Sequence, residues 1–278
     1  MYNFHYHRAS GLRQAQNLLA KLEDPKLLAG GMTLLPTMKM RLASPANLID
    51  LDRVEGLDGI EVKGRSLVIG ALARHAEVAS SATVGEAIPA LAELAGLIGD
   101  PAVRHRGTLG GSVANNDPNA DYPAACLALA ATIVTTKRKI PADEFFKGLF
   151  ETALEPDEIV TKVSFPIPKK AAYQKFRNPA SRYALVGVFV AKRPSEIRVA
   201  VTGAGGSGVF RVTAFEEALK KRFSPKVLEG LSVPADGMSS DIHGSAEYRA
   251  HLIGVLARRA VAAANEKPDA VSSEASTA

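Results

Sequence analysis

The 278-residue chain contains a single cysteine, Cys126, and no tryptophan. One thiol cannot close an internal disulfide, which fits a reducing compartment, and it cannot hold an iron–sulfur cluster, which needs about four ligands. Any such cluster has to lie on another chain. The six histidines do not make up the deficit. His5 and His7 are neighbours near the start, while His75, His105, His243 and His251 stand alone, and no HExxH or paired-carboxylate spacing occurs. No metal site is expected. Long apolar runs are also missing: the longest uncharged stretch, Tyr122 to Thr136, is shorter than the ~20 residues that span a bilayer, and Val186–Ala191 stops at Lys192. No stretch near the start combines a basic region, an apolar run and a small-residue cleavage site, so the expected location is the cytoplasm. The net charge is +5, yet Lys137-Arg138-Lys139 sits between an apolar run and Pro141 and reads as a solvated turn. Aromatics make up only 6% of the chain, too sparse a set to stack on bases. Nucleic acid is therefore not the expected partner.

What is present is ordinary globular material, 46% hydrophobic and 23% charged, enough for one large or two small domains of ~100–200 residues each. From Ser10 to Leu22, apolar residues at three- and four-residue steps predict an amphipathic helix behind a serine cap. Lys26–Ala29 reads as a strand, a short helical piece follows, and Asn47–Leu51 is the next strand. Segments 60–63 and 66–71 suit a hairpin, and Pro89–Leu97 is helical until Gly99-Asp100-Pro101 breaks it. Residues 123–136 suit either a helix or a buried strand, and Asp143 to Leu149 suits a short helix capped at Asp143. Beyond Pro166 and Pro168 the pattern changes to strands at 171–177, 183–192 and 196–202, then helices around 214–222 and 245–264. The last stretch, 265–278, is rich in Ala, Ser, Glu and Asp and is expected to be disordered.

Three glycine clusters compete as cofactor loops. Ala29-Gly30-Gly31-Met32-Thr33 follows a strand, so its N–H groups can converge on an oxyanion, and Thr33 adds a hydroxyl. Thr108-Leu109-Gly110-Gly111-Ser112 offers the same equipment after Arg104-His105-Arg106. Two such nests facing one another could bracket a pyrophosphate, although a Gly-Gly pair alone is more often a tight turn. The third cluster, Gly203 to Gly208, satisfies the GxGxxG dinucleotide fingerprint, but Val209–Thr213 behind it alternates like a strand. A hairpin turn is the better reading there.

With their surroundings, the first two clusters resemble the FAD-binding medium subunit of the molybdenum hydroxylases, the family of aerobic carbon monoxide dehydrogenase and xanthine dehydrogenase. The resemblance rests on four ordered blocks: LLAGGMTLLPTMKMRLASPANLIDL at 27–51, IGDPAVRHRGTLGGSVANNDPNADYPAACLAL at 98–129, EPDEIVTKVSFP at 155–166 and GSAEYRAHLIGVLARRAV at 244–261. It implies an α+β protein of the vanillyl-alcohol-oxidase-like type. The FAD-binding domain would cover 1–168, in α/β subdomains of about 1–55 and 56–168. A C-terminal domain of a three-stranded sheet plus helices would cover 169–264.

The resemblance also implies the site. Leu28, Ala29, Gly30, Gly31, Met32, Thr33 and Leu34 would hold the pyrophosphate and ribityl chain together with Thr108, Leu109, Gly110, Gly111 and Ser112. Asp121 matches an aspartate that hydrogen-bonds the cofactor, Asn115 shares its turn, and Ile98 would pack on the adenine. Val160 and Lys175 would lie near the flavin ring, and Tyr183 would cover one face of it. The family usually has His or Gln and then Ser after the AGG of the first loop, so Met32 removes a side-chain donor while Thr33 keeps a hydroxyl. No histidine is placed for a covalent link, which favours non-covalent FAD.

On this reading the chain passes electrons from the [2Fe-2S] clusters of a small subunit to an external acceptor. Molybdopterin would sit on a large subunit, in an (αβγ)2 assembly. No residue is required as a catalytic acid or base. Two alternatives stay open at this level: a self-sufficient FAD oxidase or dehydrogenase, and a non-enzymatic nucleotide-binding module.

Overall fold

The computed structural model describes residues 1–266. The chain opens with β1 (His5–Arg8), α1 (Leu12–Lys21), β2 (Pro25–Leu28), α2 (Leu34–Lys39) and β3 (Asn47–Asp50). Both outer strands run parallel to β3, in the order β1-β3-β2. The central strand is buried at every residue, and its Ile49 packs with Ala15 and Leu19 of α1 in a small core of its own. The N-cap of α1 is Gly11 and has no side-chain cap. The Ser10 hydroxyl instead donates to Gln14 Oε1 at 2.8 Å, so the serine cap expected there is not made.

The middle of the chain adds β4 (Ile60–Lys63), β5 (Ser66–Gly70), α3 (His75–Ser80), α4 (Ala82–Ala87), α5 (Pro89–Gly96), α6 (Pro101–Arg106), α7 (Leu109–Asn115) and α8 (Tyr122–Ala128). Then come β6 (Thr132–Thr135), β7 (Lys139–Pro141), α9 (Ala142–Phe145), β8 (Phe146–Gly148), β9 (Glu151–Thr152) and β10 (Val160–Pro166). Five of the strands form an antiparallel sheet in the order β4-β5-β10-β6-β7. The ambiguous segment 123–136 is divided: its first half is α8, its second is β6, and Ala130 at φ +51° turns the chain between them. The helix expected from Asp143 ends at Phe145, after which Phe146 and Gly148 pair with Thr152 and Glu151. Asp143 caps nothing. Its carboxylate pairs with Arg198 at 2.7 Å and Arg211 at 3.4 Å, a tertiary contact that local sequence cannot show.

The last part comprises β11 (Lys170–Arg177), β12 (Ala184–Lys192), β13 (Ile197–Thr202), β14 (Phe210–Arg211), α10 (Thr213–Lys221) and α11 (Ala246–Glu266). Three long strands and the short β14 form an antiparallel sheet in sequence order. Strand side chains alternate between faces, and here both faces are covered. Tyr173, Phe189 and Ala200 enter the large core beneath α5 and α8, while Val186, Val188, Val190, Val199 and Val201 meet Phe215 of α10 and Leu252, Ile253, Leu256 and Ala260 of α11. That two-sided burial explains the uninterrupted apolar run in β12. The GxGxxG cluster is the turn between β13 and β14, which pair Ala200 with Arg211 and Val201 with Phe210. Of the tail expected to be disordered, Asn265 and Glu266 belong to α11, and 267–278 lie outside the described residues.

Candidate functional site: a large cavity beside the first glycine loop

A cavity of about 840 Å³ opens between the parallel unit and the antiparallel sheet, in the upper part of the ~300–1,000 Å³ range of cofactor sites. Its wall includes Leu28, Ala29, Gly30, Gly31, Met32, Thr33 and Leu34 on one side and Thr108, Gly110, Gly111, Ser112, Asn115 and Asp121 on another, and Ile98, Val160 and Tyr183 join them. Residues separated by up to about 150 positions of sequence thus share one surface. Two of the expected residues do not reach it. Leu109 is wholly buried in the large core, and Lys175 lies behind Asp121 with its side chain 1% exposed.

The two glycine clusters are built differently. Between β2 and α2, the N–H groups of Gly30, Gly31, Met32 and Thr33 donate to no other main-chain group among the described residues. Gly31 has φ +72°, a conformation that glycine adopts without strain. Consecutive unpaired N–H groups in such a bend form an anion-binding concavity. The second cluster is not a loop: Thr108 is the N-cap of α7, and Leu109 to Ser112 are its first turn. Leu109 N–H donates to Ala73 O at 2.9 Å, Gly110 to Ala71 O at 2.8 Å and Gly111 to Thr108 Oγ1 at 3.2 Å. The donors on this wall are therefore engaged within the chain, and its glycines serve close packing: a Cβ on Gly110 would come within 2.8 Å of Ala71 Cα.

Between the walls, Asp121 is 3% exposed, and both its oxygens have donors, Tyr173 Oη at 2.5 Å and Lys175 Nζ at 2.9 Å. Lys175 also donates to Leu97 O at 3.1 Å. Burial pushes the Asp121 carboxyl upward, and Lys175 and Tyr173 draw it back. Asp117 shares the wall and is likewise raised by burial. Glu158 behaves oppositely. Burial raises it, but Arg138, Thr135 and the Glu155 N–H together bring it down to about 2. His75, also on the wall, is lowered to about 4 by burial and by Arg104, so its imidazole is neutral, and its Nδ1 has no partner. The Cys126 thiol is fully buried and pushed upward by that burial, far from any redox-active form. No group of three or more metal-ligating side chains occurs among the described residues.

A cavity of dinucleotide size with an unpaired oxyanion cradle can be set beside known proteins. A family model described as the FAD binding domain in molybdopterin dehydrogenase matches residues 2–168. The chain belongs to that family. It is 36% identical to the carbon monoxide dehydrogenase medium chain of Hydrogenophaga pseudoflava, over 94% of this chain and 96% of that one. It is 38% identical to the nicotine 6-hydroxylase medium subunit of Paenarthrobacter nicotinovorans, over 94% of this chain and 97% of that one. A solved structure of carbon monoxide dehydrogenase from Hydrogenophaga pseudoflava superposes with a TM-score of 0.86 at 36% identity, covering 95% of this chain and 98% of that one.

As a member of the molybdopterin dehydrogenase FAD family, the chain fits the cofactor by its own residues. Gly30 to Thr33 offer the donors that a pyrophosphate needs, and Ile98 and Val160 offer apolar surface on the same cavity. Sequence reasoning missed Tyr173, His75, Asp117 and Glu158. Tyr173 had one visible signal: it lies two residues before Lys175 in a strand, hence on the same face.

Proposed function

We propose that this flavoprotein binds one FAD non-covalently in the cavity and serves as the electron-transferring medium subunit of a heteromeric molybdenum hydroxylase. The observation that carries the reading is the row of four unpaired N–H groups, Gly30 to Thr33, on the wall of a cavity of about 840 Å³. These donors would hold the pyrophosphate, with Leu28, Ala29 and Leu34 shaping the rest of the loop. Thr108 and Ser112 contribute hydroxyls, while Gly110 and Gly111 permit close approach. Ile98 suits the adenine, Val160 and Tyr183 the flavin ring, and Asp121 and Asn115 the polar groups between. Leu109 supports this wall from the core, and Lys175 supports Asp121. Bound FAD supplies exchange between one-electron and two-electron carriers. The chain's own part is to bind, orient and exclude water.

The relatives named above are medium chains of multi-subunit enzymes, which supports a large molybdopterin-binding partner and a small [2Fe-2S] partner for this chain. The lone, buried Cys126 supports the same dependence, because the described residues offer no ligand set for a cluster. We extend the proposal to an (αβγ)2 assembly working in the cytoplasm, and to a division near residue 168, where β10 of the second sheet gives way to β11 of the third. No helix of the described residues is long and apolar enough to cross a membrane.

The test is to isolate the full chain, record its visible spectrum, release the chromophore by denaturation and identify it by mass. FAD at about one per chain is expected, bleached by a one-electron donor and unaffected by the organic substrates of the relatives. A colourless chain that takes up no added FAD, or a lone chain that oxidises such a substrate, overturns the reading.

A further inference from the structure

Asp121 belongs to the cavity wall, yet both of its oxygens are already held from behind. Tyr173 and Lys175, its two donors, point the same way from β11 because strand side chains repeat every second residue. Neither lines the cavity. Gly187 stands opposite Lys175 in the neighbouring strand, and a Cβ there would overlap Tyr173 Oη, so the path of the hydroxyl to Asp121 depends on a glycine. A buried ion pair is commonly no more stable than an apolar pair of the same size, so this arrangement is poorly explained by stability alone. A carboxylate has about four acceptor positions. With two of them filled from behind, the rest are available to a donor in the cavity.

We propose that Tyr173 and Lys175 are positioning residues: they fix the Asp121 carboxylate so that its remaining lone pairs accept a hydroxyl or N–H hydrogen bond from FAD, and they touch no cofactor themselves. The inference rests on the FAD reading above. It adds Tyr173 to the site and makes Lys175 act through Asp121 instead of on the flavin.

The ionisable groups facing Asp121 are Tyr173, Lys175 and Arg177 of β11, Tyr122 of α8 and Tyr183 of the loop before β12, with Asp117 close to Tyr183. Tyr173 is itself pushed up by burial and stays a donor at any working pH. Without Lys175, burial of Asp121 is opposed only by the Tyr173 hydrogen bond and the charge of Arg177, and the carboxyl takes up a proton at higher pH. The protonated form no longer makes a charge-assisted bond as acceptor.

The experiment is fluorescence titration of the flavin-stripped full chain with FAD from about pH 5 to 8. It compares the native protein with Tyr173→Phe, Lys175→Met, Asp121→Asn and the Asp121→Asn/Lys175→Met double variant, and circular dichroism reports folding. Asp121→Asn is expected to weaken FAD binding about 10- to 100-fold. Tyr173→Phe and Lys175→Met weaken it too, the latter increasingly as the pH falls. The double variant binds no more weakly than Asp121→Asn alone, because residues that act as a unit are not additive. Additive losses, a pH-independent loss in Lys175→Met, or native affinity in Asp121→Asn overturns the proposal. If Lys175→Met fails to fold, native affinity in Tyr173→Phe does so instead. Failure of the native chain to take up FAD is a separate result, seen before any substitution, and it overturns the functional reading itself.

Discussion

Gly30 lies against the carbonyl of Arg106: a Cβ on Gly30 would overlap that oxygen and come within 2.7 Å of Gly107 Cα. The first glycine loop and the segment leading into α7 are thus in main-chain contact, and that contact joins the two walls of the cavity. Gly30→Ala should separate them. We expect FAD affinity to fall at least ~10-fold and stability to fall by about 1–3 kcal/mol, the usual cost of overpacking. Flavin titration and thermal unfolding of the same preparation check both.

Gly187→Ala should act on Asp121 at a distance. The added methyl competes with the Tyr173 hydroxyl for space, so the Asp121 bond is broken without any change at Asp121 or Tyr173. The variant is expected to bind FAD as weakly as Tyr173→Phe, and combining the two substitutions should add little. FAD titration of the two single variants and the double variant distinguishes this from a general loss of packing.

Glu158 ionises at about 2 in the folded chain, against an ordinary 4.5. Burial opposes this, and Arg138, whose Nε and Nη2 each donate at 3.0 Å, outweighs it with Thr135 and the Glu155 N–H. A depressed carboxyl contributes stability that is present above 4.5 and is lost as the pH falls from 4.5 through about 2. Arg138→Leu should therefore lower stability most at neutral pH and move acid unfolding to higher pH, the difference from the native chain shrinking as the pH falls from 4.5 towards about 2. Circular dichroism against pH reads the midpoint, and an unmoved midpoint contradicts the assignment.

His75 has a consequence of the same sign in a higher pH window. It accepts a proton only at about 4 when folded, against 6.5 for a free imidazole, so between those values the unfolded chain binds a proton that the folded chain refuses. Stability should decline as the pH drops from 6.5 towards 4 and stop declining from this cause below that. In an NMR titration the His75 ring should remain neutral at about pH 5.5; protonation near 6.5 would falsify the buried placement.

The elements most legible in the sequence were those whose signal is local. Amphipathic spacing announced α1 and the helices at the C-terminal end, and the alternation behind Gly208 exposed the GxGxxG cluster as a turn despite its fingerprint. Local signals failed where tertiary contact decided. Thr108 to Ser112 reads as a loop because glycine disfavours helices, yet α7 starts there, where Ala73 and Ala71 accept the N–H groups of Leu109 and Gly110 and Ala71 leaves no room for a side chain at Gly110. Asp143 reads as a helix cap, and two arginines from the distant third sheet hold it instead.

By itself the sequence determined that the chain is an α+β protein without the ligands for an iron–sulfur cluster, and that two glycine clusters carry its resemblance to flavoproteins. Those conclusions depend on which residues are present and how they are spaced along the chain. Only the tertiary structure decided that the first cluster keeps its donors unpaired while the second is committed within the chain, and that Lys175 stands behind Asp121 and not in the cavity. Such distinctions depend on which groups far apart in sequence reach hydrogen-bond distance, and a hydrogen bond acts only over about 3 Å.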